Sequence, residues 1–246
     1  MARAGYGGRV EGTHAVAAAA AAGRIRRLWV DEGRLRRPEV RAVVDSLDAA
    51  IVELSPDVRS IAETEAPQGL VAECTPILPV PIEATAGDRA AVVVLDHVED
   101  PHNVGAIARS AAAAGMTGMV LSSKRQAPLS AAAFKSAAGA LETLPVAVVG
   151  SIPEVLSRLK TQGAWVVGLA AAGGSSLFGL DILTEPVAIV VGAEGAGLSV
   201  LVSKRCDLLA AIPMAGASES LNASVSAALA CFEIMRLRGG PSRTPG

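Results

Sequence analysis

The chain has 246 residues, of which 51% are hydrophobic and 19% are charged; this balance predicts a folded globular protein and excludes a disordered chain. The formal net charge of −2 gives no overall signal for nucleic-acid binding, because many RNA-binding proteins are basic as a whole. Three cysteines without a Cys-x-x-Cys pair argue against a disulfide framework and a zinc site, and they indicate a reducing, cytoplasmic environment.

The first 41 residues are basic although the whole chain is not. Nine arginines oppose four acids there, which leaves an excess of five positive charges. Such a patch can contact phosphates, but a solvated arginine-rich surface explains the same pattern, and the residues alone leave both interpretations open. The arginines of this stretch are Arg3, Arg9, Arg24, Arg26, Arg27, Arg34, Arg36, Arg37 and Arg41.

A small α/β unit is predicted over residues 1–74. An alanine-rich helix ends at Gly23, a residue typical of helix C-termini. Alanine is too weakly apolar for a signal peptide, and Arg24 follows the run at once, so we expect neither export nor a membrane span. The predicted elements are, in chain order, a helix over 10–22, a strand over 25–30, a helix over 38–49, and strands over 51–54 and 68–72.

The composition changes after this unit. Pro76, Pro79 and Pro81 lie within six residues, and prolines at this density disfavour helix and strand. We therefore expect a linker over residues 75–88 between two domains, one over 1–74 and one over 89–246.

Continuous apolar runs alternate with helical patterns after residue 88. Such runs predict a parallel sheet that helices cover on both faces, and ligands of such sheets bind at the carboxyl ends of the strands. A last helix is predicted over 221–238, with apolar residues at helical spacing that suit a core or a subunit interface. The predicted strands are 91–95, 118–121, 145–149, 165–169, 187–191 and 208–212.

Three loops that follow these runs carry almost no charge. Arg109 is the only charged residue between Asp100 and Lys124, and Glu194 is the only one between Glu185 and Lys204. The third loop, residues 212–224, holds serines and an asparagine before the last helix. Isolated charges among small residues conflict with local folding preferences, and such conflicts are typical of functional sites.

Each candidate residue also has a structural interpretation. Asn103 and Ser220 suit helix N-caps, and Arg109 suits a structural ion pair. The Glu194 carboxylate suits hydrogen bonds with the backbone of its own glycine-rich turn. His102 lacks neighbours at ligand-like spacing, so no metal site is expected.

Together the three loops resemble the three motifs of the SpoU-type (TrmH-like) RNA ribose 2′-O-methyltransferases of the SPOUT superfamily. Asn103 and Arg109 fit the first motif and residues 192–195 fit the second. The third motif corresponds to residues 212–214 together with 220–222. The resemblance is strong from Val92 to Arg236. One departure is Ala137, which stands where the family usually has serine, with Ser136 beside it.

The resemblance implies a site for S-adenosylmethionine, and it assigns roles by position. The implied catalytic residues are Asn103, Arg109, Glu194, Ser220 and Asn222. The implied cofactor-binding residues are Leu169, Ala170, Ala171, Gly192, Ala193, Glu194, Gly195, Ile212, Met214, Ser220, Leu221 and Asn222. The implied RNA-binding residues are Arg9, Arg24, Arg26, Arg27 and Arg109.

The resemblance also implies a fold and a reaction. The expected fold is a SPOUT-type parallel sheet flanked by helices, with a C-terminal trefoil knot, preceded by a small α/β substrate-binding domain like ribosomal protein L30e. The expected reaction is 2′-O-methylation of RNA by a cytoplasmic homodimer, most closely of a guanosine in 23S rRNA. The same chemistry on tRNA or on another 23S rRNA nucleotide, including resistance-type methylation, and a non-catalytic assembly factor that binds RNA, remain alternatives.

Overall fold

The computed structural model describes residues 5–216 and 220–240 and contains two β-sheets, one in each half of the chain. The first has four strands and the second has seven. Strands and helices alternate through most of the second half, which confirms the α/β class with a parallel sheet.

The first sheet has the strand order β1-β4-β2-β3, in which only β2 and β3 are parallel. The fully buried Glu11 in β1 accepts hydrogen bonds from the backbone N–H groups of Glu63 (2.6 Å) and Thr64 (3.0 Å), so it holds the loop before β4 against the sheet. The elements are β1 (Arg9–Glu11), α1 (Thr13–Ala21), β2 (Ile25–Asp31), α2 (Pro38–Asp45), β3 (Val52–Ser55) and β4 (Leu70–Cys74).

The second sheet has the strand order β7-β6-β5-β10-β8-β11-β9, and all its neighbouring strands are parallel. Its strands are β5 (Ala91–Asp96), β6 (Gly118–Ser122), β7 (Val146–Val149), β8 (Trp165–Leu169), β9 (Ser175–Ser176), β10 (Val187–Gly192) and β11 (Leu208–Ala211). The helices are α3 (Pro101–Ala113), α4 (Ala131–Ala137), α5 (Ile152–Thr161), α6 (Val200–Ser203) and α7 (Ala223–Leu237).

All six apolar runs form strands, but some predicted boundaries in the first half are wrong. Residues 9–11 pair with β4 as a strand, so the first helix begins only at Thr13. The second helix ends at Asp45 and not at residue 49. The short edge strand β9 was not expected, because two serines carry no strand pattern.

The two halves pack against each other through α4, which contacts both β1 and α1. The ring of Phe134 in α4 is buried and lies 6.2 Å from the ring of Tyr6. The pKa of Tyr6 is raised to about 12, mainly by burial and secondly by the negative charge of Glu142. Buried residues of both sheets form one continuous hydrophobic cluster across this junction.

The helices of residues 5–216 and 220–240 include none that is long and apolar enough to span a bilayer.

Candidate functional site

The strand register brings the motif loops to one edge of the second sheet. Gly192 at the end of β10 pairs with Asp96 at the end of β5, and Ala210 in β11 pairs with Leu169 at the end of β8. The segments that follow these four strands therefore start side by side, as parallel strands require.

A cavity of about 420 Å³ opens between these segments. Eleven of the twelve expected cofactor-binding residues line it; Asn222 does not, although its neighbours Leu221 and Ala223 do. Glu194 is the only charged side chain among the described residues that line it. Nucleotide phosphates favour sites with lysine, arginine or a helix N-terminus, so this lining suits a ligand without phosphate groups.

The glycine-rich loop after β10 folds back tightly on its own strand. The backbone of Ala193 pairs with that of Gly197, and a Cβ atom at Gly192 would lie 2.2 Å from the carbonyl carbon of Gly197. Gly195 and Gly197 both adopt positive φ, at 75° and 67°. Only glycine permits this combination, and the result is a cavity wall of exposed backbone.

Asp96 supports the same loop and was missed in the sequence. Its carboxylate is 1% exposed and accepts hydrogen bonds from the Ser199 backbone N–H (2.7 Å) and from His97 Nδ1 (2.7 Å). Asp96 directly follows the apolar run of β5, and an acid at that position was the available signal.

Three side chains, one from each of the three motifs, meet at the cavity. Asn103 Nδ2 donates to Glu194 Oε1 (2.9 Å), and Asn222 Nδ2 donates to Asn103 Oδ1 (3.1 Å) and also to Glu194 Oε1. Glu194 is exposed, and its carboxylate bonds with these side-chain amides and not with its own turn. The arrangement ties the first, second and third motifs to one another.

The helix caps differ from the structural interpretations of the sequence. Asp100, not Asn103, caps α3 by accepting from the His102 N–H (2.8 Å). Asn222, not Ser220, caps α7 by accepting from the Ser224 N–H (2.9 Å). Asn103 therefore lies in the first turn of α3 with its side chain free to reach Glu194, while Ser220 lines the cavity.

Arg109 lies apart from this group. It is exposed on α3, and among the described residues none forms an ion pair or hydrogen bond with its guanidinium. It lines a second cavity, of about 300 Å³, together with His102, which lies about two helical turns earlier on the same face of α3. The ion pair that the sequence allowed for Arg109 is absent from residues 5–216 and 220–240.

The four N-terminal arginines of the expected RNA contact occupy different settings. Arg24 is buried in an ion pair with Glu142, where the two side chains are 12% and 4% exposed. Arg9 and Arg27 both approach the ring of Trp29, at 5.6 and 5.2 Å from its centre, and Arg9 also donates to the Ile61 carbonyl. Arg26 and Arg27 are exposed and face Glu73 and Glu53.

Residues 5–216 and 220–240 contain no group of three or more histidine, cysteine or acidic side chains placed to hold a metal ion. The cysteines are free, and burial raises the pKa of Cys74 and of Cys206 to about 11. Both thiols are therefore protonated at neutral pH and suit neither nucleophilic nor metal chemistry.

Two family models match the sequence. The model described as the SpoU rRNA methylase family matches residues 90–232. The model described as RNA 2′-O ribose methyltransferase substrate binding matches residues 9–79.

Curated relatives differ in how much of the chain they cover. The 23S rRNA (guanosine-2′-O-)-methyltransferase RlmB of Pseudomonas aeruginosa is 36% identical over 242 residues, which is 94% of this chain and 96% of that protein. An uncharacterized tRNA/rRNA methyltransferase of Synechocystis is 47% identical over 148 residues, 60% of this chain, but the match covers only 38% of that relative.

Solved structures share the architecture over nearly the whole chain. The SpoU methyltransferase AviRb of Streptomyces viridochromogenes, in complex with AdoMet, has a TM-score of 0.79 at 27% identity and covers 95% of this chain and 91% of its own. An RNA 2′-O ribose methyltransferase has a TM-score of 0.81 at 29% identity, with coverages of 94% and 88%. An AdoMet-bound rRNA methyltransferase of Sinorhizobium meliloti has a TM-score of 0.75 at 28% identity, with coverages of 93% and 86%.

Proposed function

The chain belongs to the SpoU rRNA methylase family, and from that premise we propose that it methylates a ribose 2′-hydroxyl of RNA, specifically of a guanosine in 23S rRNA. The observation that carries the proposal is the side-chain cluster of Asn103, Glu194 and Asn222 at a cavity whose described lining has Glu194 as its one charged residue. The match to RlmB over 94% of the chain supports 23S rRNA as the substrate.

The enzyme uses S-adenosylmethionine, as in the AdoMet-bound neighbours of its fold, and the cavity fits this cofactor. Its volume of about 420 Å³ lies within the usual range for small-molecule sites. The cofactor has no phosphate, which agrees with a lining that holds one carboxylate and no lysine or arginine among the described residues. When bound, it supplies an electrophilic methyl group on a sulfonium.

We propose that Arg109 clamps an RNA phosphate and stabilises the negative charge that develops on the 2′-oxygen. A guanidinium stays protonated at neutral pH, so it donates hydrogen bonds and does not accept the hydroxyl proton. That proton passes to water or to the phosphate. Asn103, Glu194 and Asn222 hold the three motif loops in register, while backbone groups at Ile212, Met214 and Leu221 hold the cofactor.

A homodimer belongs to the same proposal. Within one chain Arg109 does not line the cofactor cavity, which supports an arrangement in which a second copy brings its own Arg109 to that cavity. The outer face of α7 carries Val225 and Phe232, which are 46% and 43% exposed, and apolar residues there suit a subunit interface.

We also propose the domain boundaries, a knot in the second domain and a location in the cytoplasm. The two family matches, over 9–79 and 90–232, support a substrate-binding domain over 1–74, a linker over 75–88 and a catalytic domain over 89–246. The second domain has the C-terminal trefoil knot that the resemblance to the SpoU family implies. Free cysteines support a cytoplasmic location.

Transfer of labelled methyl from S-adenosylmethionine to separated, unmodified 23S rRNA, 16S rRNA and tRNA tests the proposal. We expect label on 23S rRNA only, at one linkage that resists alkali, and sequencing across that linkage should identify a guanosine. Label on tRNA, or on another 23S nucleotide, would mean that the proposed reaction is right but that the proposed substrate is wrong. RNA binding without any methyl transfer would favour the non-catalytic assembly factor.

A further inference from the structure

The second cavity, of about 300 Å³, lies at the junction of the two halves of the chain and is separate from the cofactor cavity. One wall comes from the start of α1 and the loop before β4, and the other comes from α3 and α4. We call it the junction cleft; its lining residues are Gly12, His14, Ala15, Gln68, His102, Arg109, Lys135, Ser136 and Ala138.

The junction cleft concentrates positive charge. Arg109 and Lys135 line it together with His14 and His102, and no described residue of its lining carries a carboxylate. The larger groove beside it, of about 790 Å³, differs because Asp31, Glu39 and Glu65 there offset Arg34, Arg37 and Arg59. Of these two neighbouring cavities, only the junction cleft has positive charge that no carboxylate of its described lining offsets, and this charge attracts an anion.

Its donors are also available. The guanidinium of Arg109 has no acceptor among the described residues and keeps all its N–H groups for a ligand. The ammonium of Lys135 donates to the Ala66 carbonyl, which leaves two of its three N–H groups free. Ser136 Oγ lies 3.0 Å from His102 Nδ1 and adds a hydroxyl to the same wall.

We propose that the junction cleft binds a phosphodiester of the RNA strand that carries the target ribose, with Lys135 and Arg109 as its two cationic contacts. This inference rests on the function proposed above. The N-terminal half then contacts RNA at the junction cleft, beside His14 and Gln68. It does not contact RNA through the sheet face on which Arg9 and Arg27 approach Trp29. Lys135 is then a substrate-positioning residue.

Charge-changing variants test the cleft. Lys135→Gln should weaken the affinity for unmodified 23S rRNA about tenfold. The affinity should also fall less steeply with rising salt concentration, by the amount expected for about one lost phosphate contact. Arg89→Gln is the matched control, because Arg89 is exposed, lies two residues before β5 and does not line the junction cleft, so this substitution removes the same charge elsewhere. Its affinity should stay within about twofold of the wild type, as expected for a charge far from the phosphate.

A second pair of variants separates charge from packing. His14 is exposed in the first turn of α1, where a glutamate is compatible with the helix dipole. His14→Glu should weaken RNA binding about tenfold by repelling the phosphate, whereas the neutral His14→Gln should change it by less than about twofold. The melting temperature and the affinity for S-adenosylmethionine should not change in any of these variants.

The outcomes distinguish this inference from the proposed function. Equal RNA affinities for Lys135→Gln and Arg89→Gln, or for His14→Glu and His14→Gln, would show that the junction cleft does not bind an RNA phosphate, even if methyl transfer occurs. If the wild type binds 23S rRNA but transfers no methyl, the proposed function fails while the same comparison of affinities still decides the cleft. If the wild type binds no 23S rRNA, both fail.

Discussion

At the scale of single residues, Asn222 has two roles: the oxygen of its side-chain amide accepts hydrogen bonds and the nitrogen donates them. Its Oδ1 caps α7 by accepting from the backbone N–H groups of Ser224 (2.9 Å) and Val225 (3.4 Å). Its Nδ2 donates to Glu194 and to Asn103 Oδ1 (3.1 Å). An asparagine is required because the cap needs an acceptor and the carboxylate needs a donor.

Asn222→Asp and Asn222→Ala should therefore differ in stability, whereas both should have reduced methyl-transfer activity. Aspartate keeps the cap, whereas alanine loses it at a cost of about 1 kcal/mol. Aspartate places a second carboxylate against Glu194, so both variants misalign the loops and should slow methyl transfer about 10²-fold. Thermal unfolding and single-turnover methylation measure the two effects. Near-normal turnover in Asn222→Asp would show that the link to Glu194 is dispensable.

Arg109 differs from Asn222, because its guanidinium forms no hydrogen bond or ion pair with a described residue. Arg109→Ala should change the free energy of unfolding by less than about 0.5 kcal/mol, as is usual for an exposed side chain. The affinity for S-adenosylmethionine should also be unchanged, since Arg109 does not line the cofactor cavity.

Methyl transfer by Arg109→Ala should fall by about 10² or more, because a positioned donor to the developing oxyanion is lost. Calorimetry and transfer of labelled methyl measure these quantities. Arg109→Lys keeps the charge without the bidentate geometry and should recover only part of the activity. Turnover like that of the wild type in Arg109→Ala would exclude the assigned role.

At the scale of elements, the close crossing of α3 and α4 connects the site with the junction. A Cβ atom at Gly105 would lie 2.2 Å from the Ala133 carbonyl oxygen and 2.7 Å from Ser136 Cβ. The missing side chain lets α3 approach α4, and so His102 on one helix reaches Ser136 on the other. Both helices also contribute to the junction cleft.

Gly105→Ala should separate the two helices and destabilise the protein by about 2 kcal/mol, a typical result of overpacking. Gly150→Ala is the control, because a Cβ atom there meets nothing within 4 Å. Denaturant unfolding compares the two variants. Equal stabilities would mean that α3 and α4 adjust to the methyl group without loss of packing.

At the scale of the whole molecule, the ion pair of Arg24 and Glu142 joins the two halves. Arg24 Nε donates to Glu142 Oε2 (2.7 Å), and Arg24 Nη1 donates to the Gly7 carbonyl (3.1 Å) and the Thr75 carbonyl (2.5 Å). Burial favours the neutral form of Arg24, but the hydrogen bonds and charge of Glu142 outweigh it and raise the pKa of Arg24 above its usual value. Arg24 therefore keeps its positive charge at neutral pH.

Arg24→Ala should cost about 3 kcal/mol, because it leaves the Glu142 carboxylate buried without its partner. Arg26→Ala is the control: its contact with Glu73 is exposed and 3.9 Å long, so its loss should cost no more than about 1 kcal/mol. RNA affinity, measured on folded protein, should be the same for Arg24→Ala and the wild type. Unchanged stability with weaker RNA binding would instead support the RNA contact expected from the sequence.

The sequence by itself determined the class of the fold and predicted where the proposed cofactor site lies. Apolar runs of strand length, separated by helical patterns, leave a covered parallel sheet as the solution, and ligands of such sheets bind where the strands end. The glycines of 192–197 and the lack of charge around them are local properties, so the neutral cavity wall could be predicted without coordinates.

Only the tertiary structure decided which polar and charged side chains meet. Asn103 and Glu194 are 91 positions apart and Asn222 is 28 positions beyond Glu194, and the strand register brings them together. The same long-range packing buries Arg24 against Glu142, 118 positions away, and leaves Arg109 in a cleft with His14 and Lys135. Local propensity cannot specify such pairs, because their energies depend on the positions of strands and helices that lie far apart in the chain.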